Sequence, residues 1–149
     1  MNTYTTGTTE LAEMVEAEMM YDFQAQAAAR RGLGIVTSRV GGGGVLAAQH
    51  DLYRYWSKAL GFGFAEPVTY DLIDRVLDFH RGREVPMAVL QIAPSAPPAD
   101  WDELSAAHGL KGGSSWARLG APVEGTRTAA LTDLRVGPGA KPTQSSGPL

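Results

Sequence analysis

His50 and Asp51 are the adjacent residues in this sequence that best fit acid–base chemistry. An imidazole oriented by a carboxylate is the usual general base. Tyr53, Tyr55, Trp56 and Lys58 come directly after them. Three aromatic rings beside a histidine could line a small-ligand pocket, with Lys58 holding an anionic group. A plainer reading stands next to this one. Adjacent residues rarely face each other, and Asp51 serves equally as the N-cap of a short helix ending at Gly61 or Gly63. Trp56 then packs into the core, and Lys58 runs its stem along apolar surface with its amine in water. We expect the plainer roles for Asp51, Trp56 and Lys58. His50, Tyr53, Tyr55, Trp56 and Lys58 stay as the substrate-pocket candidates.

Two glycine clusters invite a different chemistry, the cradling of phosphate. Such a cradle needs backbone N–H groups aimed at the anion, usually where a strand turns into a helix. In Ala29-Arg30-Arg31-Gly32-Leu33-Gly34 the order is reversed, because a helical pattern precedes the glycines and a strand pattern comes after them. The glycines then lie at a helix C-terminus, where carbonyls point outward and repel phosphate. The run Gly41 to Gly44 lies between two strand patterns, which is the setting of a hairpin turn. Neither cluster is expected to bind a cofactor.

The remaining polar residues give no reaction centre. His50, His80 and His108 are about thirty residues apart without HxH or HxxxH spacing, so no metal site is expected. His80 and His108 fall on apolar helix faces and read as core or boundary histidines. Ser114 and Ser115 stand after two glycines and before Trp116, which is not the G-x-S-x-G arrangement of a nucleophile elbow. Asp100, Asp102 and Glu103 are explained by the dipole of a helix start. No catalytic residue is assigned.

Composition narrows the classes further. The chain has 149 residues, 44% hydrophobic and 19% charged, as in ordinary globular proteins. The net charge of −3 and the lack of a basic run remove the electrostatic footprint of a nucleic-acid binder. With no cysteine there is no disulfide and no thiolate chemistry. No apolar run is long enough to span a bilayer, and the N-terminus lacks the pattern of a signal peptide. A soluble, cytoplasmic protein is expected.

A sequence of helices and strands must position these side chains. Residues 1–9 are polar and read as a flexible N-terminus, with Thr9 as N-cap. From Glu10 a helix runs toward Gly32, with Leu11, Val15, Met19, Phe23 and Ala27 as an apolar stripe. A β-hairpin is predicted over 34–48, and then the short helix after Asp51. Thr69 caps a helix near 70–81 with Leu72, Ile73, Val76, Leu77 and His80 inward. "PMAVLQIAP" reads as a central strand. A helix near 98–108 comes next, and "SSWARLGA" reads as a strand paired with "PMAVLQIAP". "ALTDLRVG" is a possible last strand, and 137–149 a disordered tail. The fold class is α+β, a mainly antiparallel sheet flanked by helices, in one domain over 10–136.

Several blocks carry a family resemblance in order: "RVGGGGVLAA", "YWSKALGFGFAEPVT", "VLDFHR", "AVLQIAPSAPPADWDEL" and "GSSWARL". The series resembles the N-terminal half of tandem GNAT-type (GCN5-related) N-acetyltransferases of actinobacteria, over roughly residues 20–136. The resemblance implies a GNAT-like half-fold. It implies that a second half carries the acetyl-CoA loop and that this degenerate half walls the substrate cleft. In the complete protein an acyl group would pass from acetyl-CoA to a small-molecule amine. Whether this chain is itself an enzyme is left open, since that loop is not found in it. The implied partner is a second GNAT-like half, or a second copy of this chain in a homodimer joined through "ALTDLRVG". The alternatives are a stand-alone half binding a small ligand or a partner, and a half-fold recruited for other biosynthetic chemistry.

Overall fold

The structure, a computed structural model, describes residues 6–28 and 32–118. The chain divides into two compact units, Met1–Trp116 and Ala117–Leu149. Every described helix and strand belongs to the first unit. Both "ALTDLRVG" and the 137–149 tail lie outside the described residues.

Among the described residues the chain is α+β, with three helices and one four-stranded mixed sheet. The order is α1 (Thr6–Ala27), β1 (Ile35–Val40), β2 (Gly43–Ala48), β3 (Lys58–Leu60), α2 (Tyr70–Arg81), β4 (Val89–Leu90) and α3 (Trp101–Ala107). The strands lie in chain order across the sheet. β1 with β2 and β2 with β3 are antiparallel, and β3 with β4 is parallel.

The hairpin forms where the sequence predicts it. Its turn is Gly41-Gly42, with φ of 56° and 79°. Two consecutive left-handed residues match the twist of the flanking strands, and glycine adopts them without strain. Gly43 and Gly44 already belong to β2 and pair with Val40 and Arg39, so the four-glycine run is half turn and half strand.

β2 is buried along its whole length because the sheet is covered on both faces. On one face Val45 and Ala59 pack with Phe62 and with Leu72, Ile73 and Val76 of α2. On the other, Leu46 and Leu60 pack with Ala17 and Met20 of α1. Neighbouring residues on a strand point to opposite faces, so each strand feeds both layers. α2 begins and ends as predicted, with the Thr69 side chain accepting from the Leu72 N–H. Its inward residues Leu72, Ile73, Val76 and His80 are buried.

Several elements differ from the sequence reading. α1 starts at Thr6, inside the segment expected to be flexible, and Thr9 is within the helix. Its apolar stripe points outward, with Leu11 63% and Phe23 54% exposed. The face turned to the sheet is Glu13, Ala17, Met20 and Gln24. Close approach decides this: a Cβ on Gly61 would lie 2.8 Å from the Ala17 Cβ, so only small groups fit there.

No helix follows Asp51. The chain makes a loop and then β3, because the Asp51 carboxylate gathers the N–H groups of Tyr53, Tyr55 and Trp56. Arg54 also takes a left-handed φ of 54°, which a helix does not tolerate. "PMAVLQIAP" supplies an edge strand of two residues, since its partner β3 is only three residues long. Residues 114–118 form no strand and are exposed, so the described part of "SSWARLGA" is not the strand expected beside β4.

Candidate functional site

A cavity of about 660 Å³ opens between the C-terminal half of α1, the start of β1 and the loop after β2. Phe23, Gln24 and Ala27 come from α1, Ile35 from β1, and His50, Asp51, Leu52, Tyr53 and Trp56 from the loop. Its size falls within the range of small-molecule sites.

The loop is shaped by Asp51. Oδ1 accepts from Tyr53 N at 3.0 Å, while Oδ2 accepts from Tyr55 N at 2.5 Å and from Trp56 N at 2.6 Å. A side chain that mimics a backbone turn in this way is a standard use of aspartate. The carboxylate is therefore committed to backbone amides. No hydrogen bond joins it to His50 among the described residues, so the acid–base pair does not form.

Trp56 is held from three sides. The Phe23 ring stacks on it at 5.5 Å and 25°. The Tyr55 ring meets it edge-on at 5.2 Å. Its carbonyl accepts 2.7 Å from Nε2 of Gln24. Gln24 is 1% exposed, and its Oε1 has no partner among the described residues. A buried acceptor without a donor costs roughly 1–3 kcal/mol.

Of the five pocket candidates, His50, Tyr53 and Trp56 line this cavity. Tyr53 is 86% exposed at its mouth. Lys58 does not run outward. It is 8% exposed, with Nζ 3.7 Å above the Tyr55 ring, because it sits in β3 between β2 and β4. Neither Tyr55 nor Lys58 is among the lining residues. The ammonium rests on an aromatic face, a cation–π contact.

Sequence reasoning missed Phe23 and Gln24. The signal was present in Glu13, Ala17, Met20 and Gln24, whose spacing of four, three and four marks a second helical face. His80 is a core histidine, as expected, with both ring nitrogens near backbone carbonyls. His108 is partly buried, its Nδ1 2.8 Å from the Leu104 carbonyl. No group of three or more His, Asp or Glu residues is placed to hold a metal among the described residues. No described helix is long and apolar enough to cross a membrane.

No protein-family model, curated protein or solved structure matches this chain.

Proposed function

We propose that this chain is a GNAT-related half-domain that forms the acceptor side of a substrate cleft. Acetyl transfer to a small amine would be completed with a second half that holds acetyl-CoA. The observation that carries the reading is the cavity walled by α1 and the Asp51 loop, on a helix–sheet–helix scaffold compatible with a GNAT-like half. The ordered sequence blocks that resemble the tandem N-acetyltransferases support it. The chain's part is orientation of the acceptor. Its aromatic wall would hold the amine while the partner half presents the thioester.

Gly41 and Gly42 are occupied as a turn between strands. This favours placing the coenzyme on a partner. Titration calorimetry with acetyl-CoA tests the division of labour. Heat near zero up to millimolar coenzyme is expected. A micromolar dissociation constant would give this chain a coenzyme site of its own and overturn the wall reading.

A second reading, a half-domain that pairs with another protein chain, is favoured by the outward stripe of α1. Leu11, Val15, Met19 and Phe23 are each more than half exposed along one helix face. A continuous apolar face of this kind favours association. Light scattering distinguishes a dimer from a 15.8 kDa monomer.

A further inference from the structure

We infer that α1 pairs with α1 of a second copy of this chain, antiparallel and stripe to stripe, with the Asp51 loop of each copy reaching the start of the other's helix. This deepens the reading of the outward stripe as a pairing face and rests on it, but not on acetyl transfer.

The stripe is self-complementary. Leu11, Val15, Met19 and Phe23 are each more than half exposed and stand four apart, so they form one ridge along the helix. Two ridges of this spacing interlock when their helices cross at about −50°. Reversing an evenly spaced ridge leaves its spacing unchanged. A two-fold axis between Val15 and Met19 therefore sets Leu11 of one copy against Phe23 of the other, and Val15 against Met19. Each pair joins a smaller side chain to a larger one, so the ridge fills evenly. Reciprocal contacts of this form are what a two-fold dimer requires.

The acidic residues of α1 do not oppose the pairing. Glu13 is buried on the face turned to the sheet. The Glu16 carboxylate accepts from Nε2 of Gln91 at 2.8 Å, and Glu18 is clamped by the guanidinium of Arg39 in its own chain. Asp22 falls opposite Ala12 in this register. Glu10, exposed beside Leu11, comes to the Phe23 end of the other helix. There the loop after β2 carries Arg54, also exposed. Opposite charges placed in this way fix the register more than they add affinity.

A stable interface takes about 800 Å² and 20–30 residues on each partner, more than one stripe of four supplies. The apolar surface continues past Phe23. That ring stacks on Trp56 and shares a cavity wall with Leu52 and Tyr53, which are 91% and 86% exposed. Their loop is held by three amide bonds to Asp51, so it loses little freedom on docking. The second copy thus borders the mouth of the cavity.

The chain has no cysteine, so introduced ones report contacts without background. Light scattering of the full chain at micromolar concentration is expected to give twice 15.8 kDa. Val15→Lys should weaken pairing about a hundredfold or more, since it sets a charge against Met19 in an apolar contact. Oxidising a mixture of Leu11→Cys and Phe23→Cys chains should give the mixed disulfide, while neither variant alone links to itself. Arg54→Glu should weaken pairing about tenfold, and Glu10→Arg in the same chain should restore it. All five positions are exposed, so these changes leave the fold intact. A monomer overturns the inference and leaves the stripe to a different chain. A dimer that Val15→Lys dissolves but that links Leu11→Cys to itself also overturns it, with the stripe still a pairing face. A loss in Arg54→Glu that Glu10→Arg does not restore overturns the contact between loop and helix. A dimer indifferent to Val15→Lys removes both the inference and the reading beneath it.

Discussion

His80 of α2 reaches across to β2, where its Nε2 lies 3.2 Å from the carbonyl oxygen of Leu46. Its Nδ1 lies 2.9 Å from the Val76 carbonyl. A neutral imidazole has one N–H, so it donates to one of these oxygens at a time. Burial pushes the His80 pKa below its ordinary 6.5, and the backbone carbonyls pull only partly the other way. The folded protein thus holds the ring neutral more firmly than the unfolded chain does. Stability is full above the unfolded value of 6.5 and is lost as pH falls through it toward the folded value. The urea midpoint should hold steady from about pH 8 to 7 and drop below about 6.5. An NMR titration of His80 giving a pKa above 6.5 would contradict this.

Asp51→Ala removes one acceptor shared by three amides. A loss of roughly 1–3 kcal/mol is expected in urea unfolding. Faster hydrogen exchange should be confined to the amides of Tyr53, Tyr55 and Trp56. Uniform change across the sheet would mean that the carboxylate does not shape this loop.

Gly61→Ala meets two obstacles. Its φ is 84°, and the new Cβ would lie 2.8 Å from the Cβ of Ala17. A destabilisation of about 2 kcal/mol or more is expected from strain and overpacking. Tm measurement checks it. A variant as stable as the parent would show that α1 is free to lift from the sheet.

Leu11 and Val15 should behave oppositely to Ala17. Leu11→Gln with Val15→Gln changes only exposed positions, and stability should stay within about 0.5 kcal/mol. Ala17→Leu should destabilise by about 1–3 kcal/mol, since that site touches Gly61. If the chain self-associates through the stripe, the double glutamine variant should scatter light as a monomer while the parent does not.

The sequence was legible where local signals agreed with one another. Thr69 and the apolar spacing through His80 both mark α2, and its limits match the prediction. Gly41 and Gly42 between alternating runs mark the hairpin equally well. α1 was harder because it carries two usable faces. The stripe from Leu11 to Phe23 is the more apolar one, but the face with Ala17 is the one small enough to meet Gly61. Tertiary fit outweighed hydrophobicity there. β3 was hidden for another reason. Asp51 resembles a helix cap in any local reading, and only the structure shows its oxygens collecting three later amides. His50, Tyr53 and Trp56 were readable as a cluster. Their partner Gln24 lies thirty-two positions before Trp56, beyond the reach of any spacing rule.

The strand order β1-β2-β3-β4 repeats the order of synthesis. Domains generally fold from the N-terminus as the chain emerges. Once residues up to Leu60 have left the ribosome, the hairpin and β3 can assemble on α1, the hairpin itself in about 1–10 μs. At that moment Val45 and Ala59 have no cover, because Leu72, Ile73 and Val76 of α2 are still to come. A nascent chain that has emerged past Leu60 but not past Arg81 would present a bare apolar sheet face, open to a chaperone. Emergence of Arg81 closes that interval.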